Sequence, residues 1–285
     1  MYDVLEIKNV AKMLNNRTYT DYFYRLQLLA RSVFKWNNLP NGIDEKWIER
    51  YLFKYGECMI YNDETVGMIV TPCNIYGNVN FYDEPVQLAP YATNYTHAPL
   101  DNFKNCVHIR NNNLCLPTQP TIELYALRLA EISRTIDINI NAQKTPVVIL
   151  TDDKQKLTMK NVFKQWDGYE PVIYGSKNGL NLEDIKALKI DAPIVFDKLE
   201  IQKHHIWNEC MSFLGVNNAN MDKRERLVDD EVQANNEQIE LSAQVMLKSR
   251  ERACELMNEM FNLDVSVEMR KVNAPALSIK GVEKE

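Results

Sequence analysis

Between Lys189 and Glu231 a strong helix-forming run passes straight into a segment with almost nothing to bury. Asp191 is a natural N-cap, Pro193 sits where a missing N–H costs nothing, and a helical period then runs to Leu214, with Gly215 as its stop. At helical spacing, Phe196, Leu199, Ile206, Trp207, Cys210, Phe213 and Leu214 share one broad face. Lys198, Gln202, His205, Asn208, Glu209 and Ser212 share the other, and Ile201 is the misfit. Taken alone this is an amphipathic helix of the ordinary kind. Beyond it come Asn217, Asn218 and Asn220, then Asp222, the block Lys223, Arg224, Glu225 and Arg226, the acidic run Asp229, Asp230 and Glu231, and Asn235. We expect a polar loop over 218–235, because turn formers and alternating charges give ordering entropy little apolar burial to offset it.

At 285 residues and 45% hydrophobic, the chain can bury one sizeable core or two smaller ones. No apolar run is long enough to span a membrane. The start, MYDVLEIKNV, lacks the basic region and apolar stretch of a signal peptide, so a cytosolic origin is expected. The six cysteines, Cys58, Cys73, Cys106, Cys115, Cys210 and Cys254, form no Cys-x-x-Cys pair and read as buried thiols of a reducing compartment. A formal charge of −6 argues against a surface selected to grip nucleic acid.

In chain order, the periodicity predicts a helix over Thr20 to Trp36, carrying Phe23, Leu26, Leu29 or Ala30, Val33 and Phe34, with a break at Asn37 to Gly42. Asp44 caps a second helix whose apolar edge is Trp47, Ile48, Tyr51, Leu52 and Tyr55, and Gly56 ends it. From Cys58 the period becomes that of strands. CMIYNDETVGMIV and CVHIRNNNLCL both read as hairpins, with turns at Asn62 to Glu64 and Asn111 to Asn113. The Pro-, Asn- and Tyr-rich stretch between them reads as loop with short strands. A long helix starts at Thr118 or Thr121, with Ile122, Tyr125, Leu129, Ile132, Ile136 and Ile140 on its apolar face, and ends before Pro146. VVIL (147–150) and PVIY (171–174) are expected strands around a short helix at 159–166. A last helix over Asn236 to Phe261 leads to a strand over Val265 to Met269 and a disordered tail from Asn273.

Catalytic chemistry is hard to find. No Gly-x-x-x-x-Gly-Lys loop is present to cradle a phosphate. His204 and His205 are adjacent and so point to different sides of a helix. Cys73, His97, Cys106, His108 and Cys115 match no zinc finger or ribbon spacing. The acidic groups at Asp152 and Asp153, and at Asp229 to Glu231, read as solvated charge. No catalytic residue, metal or cofactor is assigned.

Several strings carry a resemblance: FKWNNLP (34–40), PTQPTIELYALRLAEI (117–132), NAQKTPV (141–147), DAPIVFDKL (191–199), WNECMSFLGVNNAN (207–220), DKRERLVDDEV (222–232) and LKSRERACELMNEMFNLDV (247–265). In this order they resemble the portal protein, also called connector or upper collar protein, of small short-tailed phages with protein-primed DNA replication. The likeness is thinnest before Arg17, across Asn74 to Leu100 and after Arg270.

The resemblance implies a mainly α, α+β subunit of a closed homo-oligomeric ring, expected to be a dodecamer. Its bore would be lined by three long helices, Thr20 to Trp36, Thr121 to Asn141 and Asp191 to Leu214. In these terms 1–57 are N-terminal helices, 58–117 a strand-rich wing, 118–145 a stalk helix and 146–190 a small strand-rich, SH3-like domain at the narrow end. Residues 191–217 form the channel helix, 218–235 the channel loop, 236–272 a helix and strand at the wide end, and 273–285 the tail. The implied function is to nucleate head assembly at one capsid vertex, conduct double-stranded DNA in packaging and ejection, and join head to tail. Lys189, Lys198, Lys223 and Arg224 match channel-facing basic residues; Asn218, Asn220, Asp222, Asp229, Asp230, Glu231 and Asn235 match the channel loop. A ring turns each inward lysine into a circle of charge felt by phosphate within about 8 Å at physiological salt. The implied partners are a packaging ATPase, scaffold and major capsid proteins and a lower collar or tail protein. The implied location is the virion head–tail vertex, and host cytoplasm during assembly. For a packaging RNA the chain departs from the pattern, since its start offers only Lys8, Lys12 and Arg17, spread apart. The alternatives are a metal-dependent DNA-processing enzyme using the acidic clusters, or a monomeric adaptor.

Overall fold

The computed structural model describes residues 7–143, 147–149, 185–187, 195–216 and 229–270. The chain divides into two compact units, Met1–Glu131 with His204–Glu285, and Ile132–Lys203. Helix α1 spans Ile7–Ala30, and strand β1 follows at Phe34–Asn37. The expected continuation of the first helix to Trp36 is therefore wrong. Ser32 turns the chain by bonding Leu29 O through both its backbone N–H (3.0 Å) and its hydroxyl (2.9 Å). Thereafter Phe34 and Trp36 are buried while Lys35 is exposed, the two-residue alternation of a strand. β1 pairs antiparallel with β11, Ser266–Met269, close to the predicted last strand, with Phe34 opposite Met269 and Trp36 opposite Val267.

Helix α2, Glu45–Tyr55, has the predicted ends. The Asp44 carboxylate accepts from Lys46 N at 2.9 Å, and Gly56, at φ 82, donates its N–H to Leu52 O. Glycine is required there twice over, because a Cβ would stand 2.0 Å from the Cys115 carbonyl oxygen. The buried face is turned from the expected edge: Ile48, Glu49, Leu52 and Phe53 are inside, whereas Trp47 and Tyr55 are more than a third exposed.

Strands β2 (Glu57–Asp63) and β3 (Gly67–Thr71) form the predicted hairpin, its turn held by Asp63 Oδ1 accepting from Thr65 N and Val66 N at 2.8 and 3.0 Å. The region 74–100 departs from the expectation of loop with short strands. There β4 (Cys73–Val79) and β5 (Pro85–Ala92) pair over most of their length, and the two-residue strands β6 (Tyr95–Thr96) and β7 (Leu100–Asp101) both join β5. β4 is exposed at every position after Cys73, so it has no buried face to write an alternating pattern into its sequence. The expected second hairpin is also absent. β8, Cys106–Arg110, instead pairs with the far side of β2, giving the order β3-β2-β8. Asn112 then claims the chain: its side-chain oxygen accepts from Leu114 N and Leu116 N, each at 3.0 Å, where strand bonds were expected. Met59, Tyr61, Cys73, Leu88 and Cys106 form the core between the two sheets.

Helix α3, Gln119–Gln143, is the predicted long helix, with Ile122, Tyr125, Leu129 and Ile136 buried and Ile140 exposed. In the unit Ile132–Lys203, β9 (Val147–Ile149) pairs with β10 (Ile185–Ala187). The predicted strand at 171–174 and helix at 159–166 lie outside the described residues, as does the tail from Asn273.

Helix α4 spans Phe196–Phe213, and α5 runs 33 residues from Asp229 to Phe261. α5 thus begins seven positions earlier than expected, so Asp229, Asp230, Glu231 and Asn235 are helical and not loop. Acidic residues in a first turn favour helix through the macrodipole, and an unbroken backbone hydrogen-bond ladder outweighs the poor propensity of Asn. Among the described residues, no helix is long and apolar enough to cross a membrane, and no sheet closes into a barrel.

Candidate functional site

α4 is the helix for which the resemblance implies a place in the channel wall, and each end of it is anchored differently. In the unit Ile132–Lys203, Val195 N donates to Asn139 Oδ1 of α3 at 3.3 Å. Lys203 reaches back one turn to Glu200 at 3.1 Å. Lys198 is exposed, and among the described residues no carboxylate pairs with it.

In the unit holding His204–Phe213, the inner face is Ile206, Cys210 and Met211, continued by Leu214. Met211 is the member that helical spacing alone did not place there. Gly215, at φ 74, closes the helix, and a Cβ there would lie 2.5 Å from that of Ala243 on α5. Glu209 accepts from the Tyr125 hydroxyl at 3.3 Å and from Arg128 Nη1 at 3.2 Å, tying α4 to α3. Burial, helped by the Glu209 charge, pushes the Tyr125 phenol up to about 12, so it stays a neutral donor. His205 is exposed and His204 half-buried, as adjacent helical residues should be.

Of the predicted channel-facing cations, Lys198 is in the described structure; Lys189, Lys223 and Arg224 lie outside it, with Asn218, Asn220 and Asp222. Other features went unread in the sequence. Tyr24, Leu28, Leu124, Leu127 and Leu241 are each more than half exposed on long helices. Phe81 and Tyr82 project from the β4–β5 turn at 86% and 74% exposure, with ring centroids 4.3 Å apart. A groove of about 540 Å³ is lined by Leu114, Leu116, Pro117, Phe213, Val245 and Met246, among others. No sequence period marks such surfaces, because apolar residues are equally expected in a core.

The sequence profile described as Phage Connector (GP10) matches residues 2–273. Among solved structures, the chain is similar to a protein of the portal and tail of native bacteriophage P68, at 18% identity, covering 96% of this chain and 94% of that one with a TM-score of 0.51. A second is an HK97 family phage portal protein from Corynebacterium diphtheriae, at 10% identity, 87% and 91% coverage and a TM-score of 0.48. The P68 match shows a shared fold, and the profile covers almost every residue: the chain belongs to the phage connector family, the portal proteins of the phage head–tail junction.

Proposed function

We propose that this chain assembles into a closed homo-oligomeric ring, a dodecamer, that conducts double-stranded DNA through its bore at the head–tail vertex. The observation that carries the assembly is the apolar area left on the long helices. Tyr24, Leu28, Leu124, Leu127 and Leu241 would be costly to keep in water, and a neighbouring subunit covers them. A head-to-tail contact needs two unlike patches, and the protruding Phe81–Tyr82 turn and the recessed groove beside Phe213 and Val245 are such a pair.

In this reading α4 faces the bore. Lys198, with Lys189, Lys223 and Arg224, supplies rings of positive charge on a wall of a chain whose net charge is −6. A few rings attract phosphate, while a uniformly basic wall would hold the duplex against sliding. Residues 218–228, ahead of α5, act as the channel loop. Residues 146–190 form a small SH3-like domain at the narrow end. The role is structural and not enzymatic, with a packaging ATPase, scaffold and major capsid proteins and a lower collar or tail protein as partners. It is played in the virion and, during assembly, in the host cytoplasm. A packaging RNA is left out, since Lys8, Lys12 and Arg17 offer its phosphates little to hold.

Native mass measurement and particle imaging of the purified chain at micromolar concentration, without nucleic acid, test this. A closed ring many times heavier than 33.2 kDa is expected. A persistent monomer would sink the proposal.

A further inference from the structure

Two of the residues that spacing could not organise meet in space. Glu57 opens β2, Cys73 opens β4 and His108 lies in β8; one carboxylate oxygen, the thiol sulfur and one ring nitrogen all lie within 4.8 Å of one another. Register explains the meeting. Glu57 stands opposite Arg110 and Met59 opposite His108, so Glu57 and His108 are diagonal neighbours on one face of the β2–β8 pair. Met59, Tyr61 and Cys106 continue that face into the core that also holds Cys73. Cys73 and His108 are buried, at 4% and 6% exposure, and Glu57 is half-buried.

A hydrogen bond of 2.8 Å between His108 Nε2 and Glu57 accounts for two of the three groups. It leaves the buried Cys73 thiol beside the same carboxylate. Cys115 lies outside this group of three, its carbonyl packed against Gly56, which is held at φ 82. His97 and Cys106 are engaged elsewhere. His97 packs on the rings of Tyr61 and Tyr95, and the Cys106 thiol points at Leu100 O and Asp101 O.

We propose that Cys73, His108 and Glu57 form a three-residue site for a divalent cation of the zinc class, its fourth position taken by water, that ties the three-stranded sheet to the four-stranded one. One sulfur, an imidazole nitrogen and a carboxylate oxygen are a zinc donor set, and bonds of about 2.0–2.3 Å need only a modest contraction of the group. Binding releases the Cys73 thiol proton to solvent. Arg110 Nε donates to His108 Nδ1 at 3.3 Å, so in the cation-free site the ring proton is on Nε2. It must pass to Nδ1 to free Nε2, and Arg110 then turns to its other partner, Glu84, at 3.4 Å. The Cys73 thiolate, Glu57 and the dication sum to no net charge, so the site leaves no excess charge in the core.

The test uses the full chain, stripped with a chelator and dialysed against Zn²⁺ or Co²⁺. The expected result is about one zinc per chain by elemental analysis, about one proton released per zinc and a Tm rise of about 5 °C. Co²⁺ should give the intense visible bands of a tetrahedral ion and a thiolate charge-transfer band. Cys73→Ser and Glu57→Gln should lose these, and Cys106→Ser should keep them. Should Cys73→Ser fail to fold, Glu57→Gln, at the half-buried member of the group, decides the matter alone. A parent chain that takes up no zinc, or one that binds equally with Glu57 replaced, overturns the proposal. Ring assembly is read separately and stands either way.

Discussion

Arg250 and Glu49, 201 positions apart, form a buried bidentate pair: Nε donates to Oε1 at 2.9 Å and Nη2 to Oε2 at 2.8 Å. Both side chains are almost fully enclosed. Every other arm is also used. Arg250 donates to Asn111 O, Asn111 Oδ1 and Met246 O and stacks over the Phe34 ring at 4.1 Å, while the Trp36 indole donates to Glu49. α2, the end of β8, α5 and β1 therefore meet on one charge pair. Arg250→Met leaves Glu49 charged and enclosed with the indole alone, and should cost about 3–5 kcal/mol. Adding Glu49→Leu should restore much of that. Denaturant unfolding of the two single variants and the double variant measures the coupling, and strictly additive losses would contradict it.

Asp63 makes the pH prediction. Tyr95 OH donates to its Oδ2 at 2.6 Å, and Thr65 N and Val66 N donate to its Oδ1. The Tyr95 bond first, then the backbone bonds, hold this carboxyl below the usual carboxylate range. A folded pKa below the unfolded one means a contribution complete above the unfolded value, about 3.9, and lost as pH falls through the folded one. Asp63→Asn should therefore lower Tm at neutral pH. The gap to the parent should close as pH falls below about 4. A pH-independent gap would show that the loss is not one of charge.

For assembly, the prediction turns on the β4–β5 turn. Phe81→Ser with Tyr82→Ser removes exposed rings that contribute nothing to the subunit's own core, so the monomer should keep its far-ultraviolet spectrum and Tm. The ring should weaken, with dissociation at about tenfold higher protein concentration for each 1.4 kcal/mol by which the subunit interface is weakened. Analytical ultracentrifugation over a dilution series reads this, and unchanged dissociation would move the interface elsewhere.

For DNA, replacing Lys189, Lys198, Lys223 and Arg224 by Ala should spare the ring and change how the duplex moves. Every phosphate that no longer meets a cation makes binding less salt-dependent, by about 0.9 in the slope of log K against log salt. Binding titrations at several salt concentrations and packaging assays on one preparation check both parts. Rings that fall apart would reassign these residues to the subunit interface.

Where local chemistry and burial agree, the sequence by itself determined the outcome. Asp44 and Gly56 set the ends of α2, the apolar period of Ile122 to Ile136 set α3, and Gly215 stopped α4, because capping and amphipathic periods depend on residues within a few turns. Strings such as WNECMSFLGVNNAN (207–220) likewise carried the family. Tertiary structure alone decided the rest. Trp36 left its helix because β11, more than two hundred residues on, offered it a strand partner. Cys106 to Arg110 chose β2 over the neighbouring Leu114 to Leu116, and β4, exposed at every position after Cys73, wrote no period at all. Glu57, Cys73 and His108 converge through strand register, and Arg250 finds Glu49 through packing. These are meetings between positions far apart in the chain, and spacing along a sequence holds no record of which distant partner a residue will find.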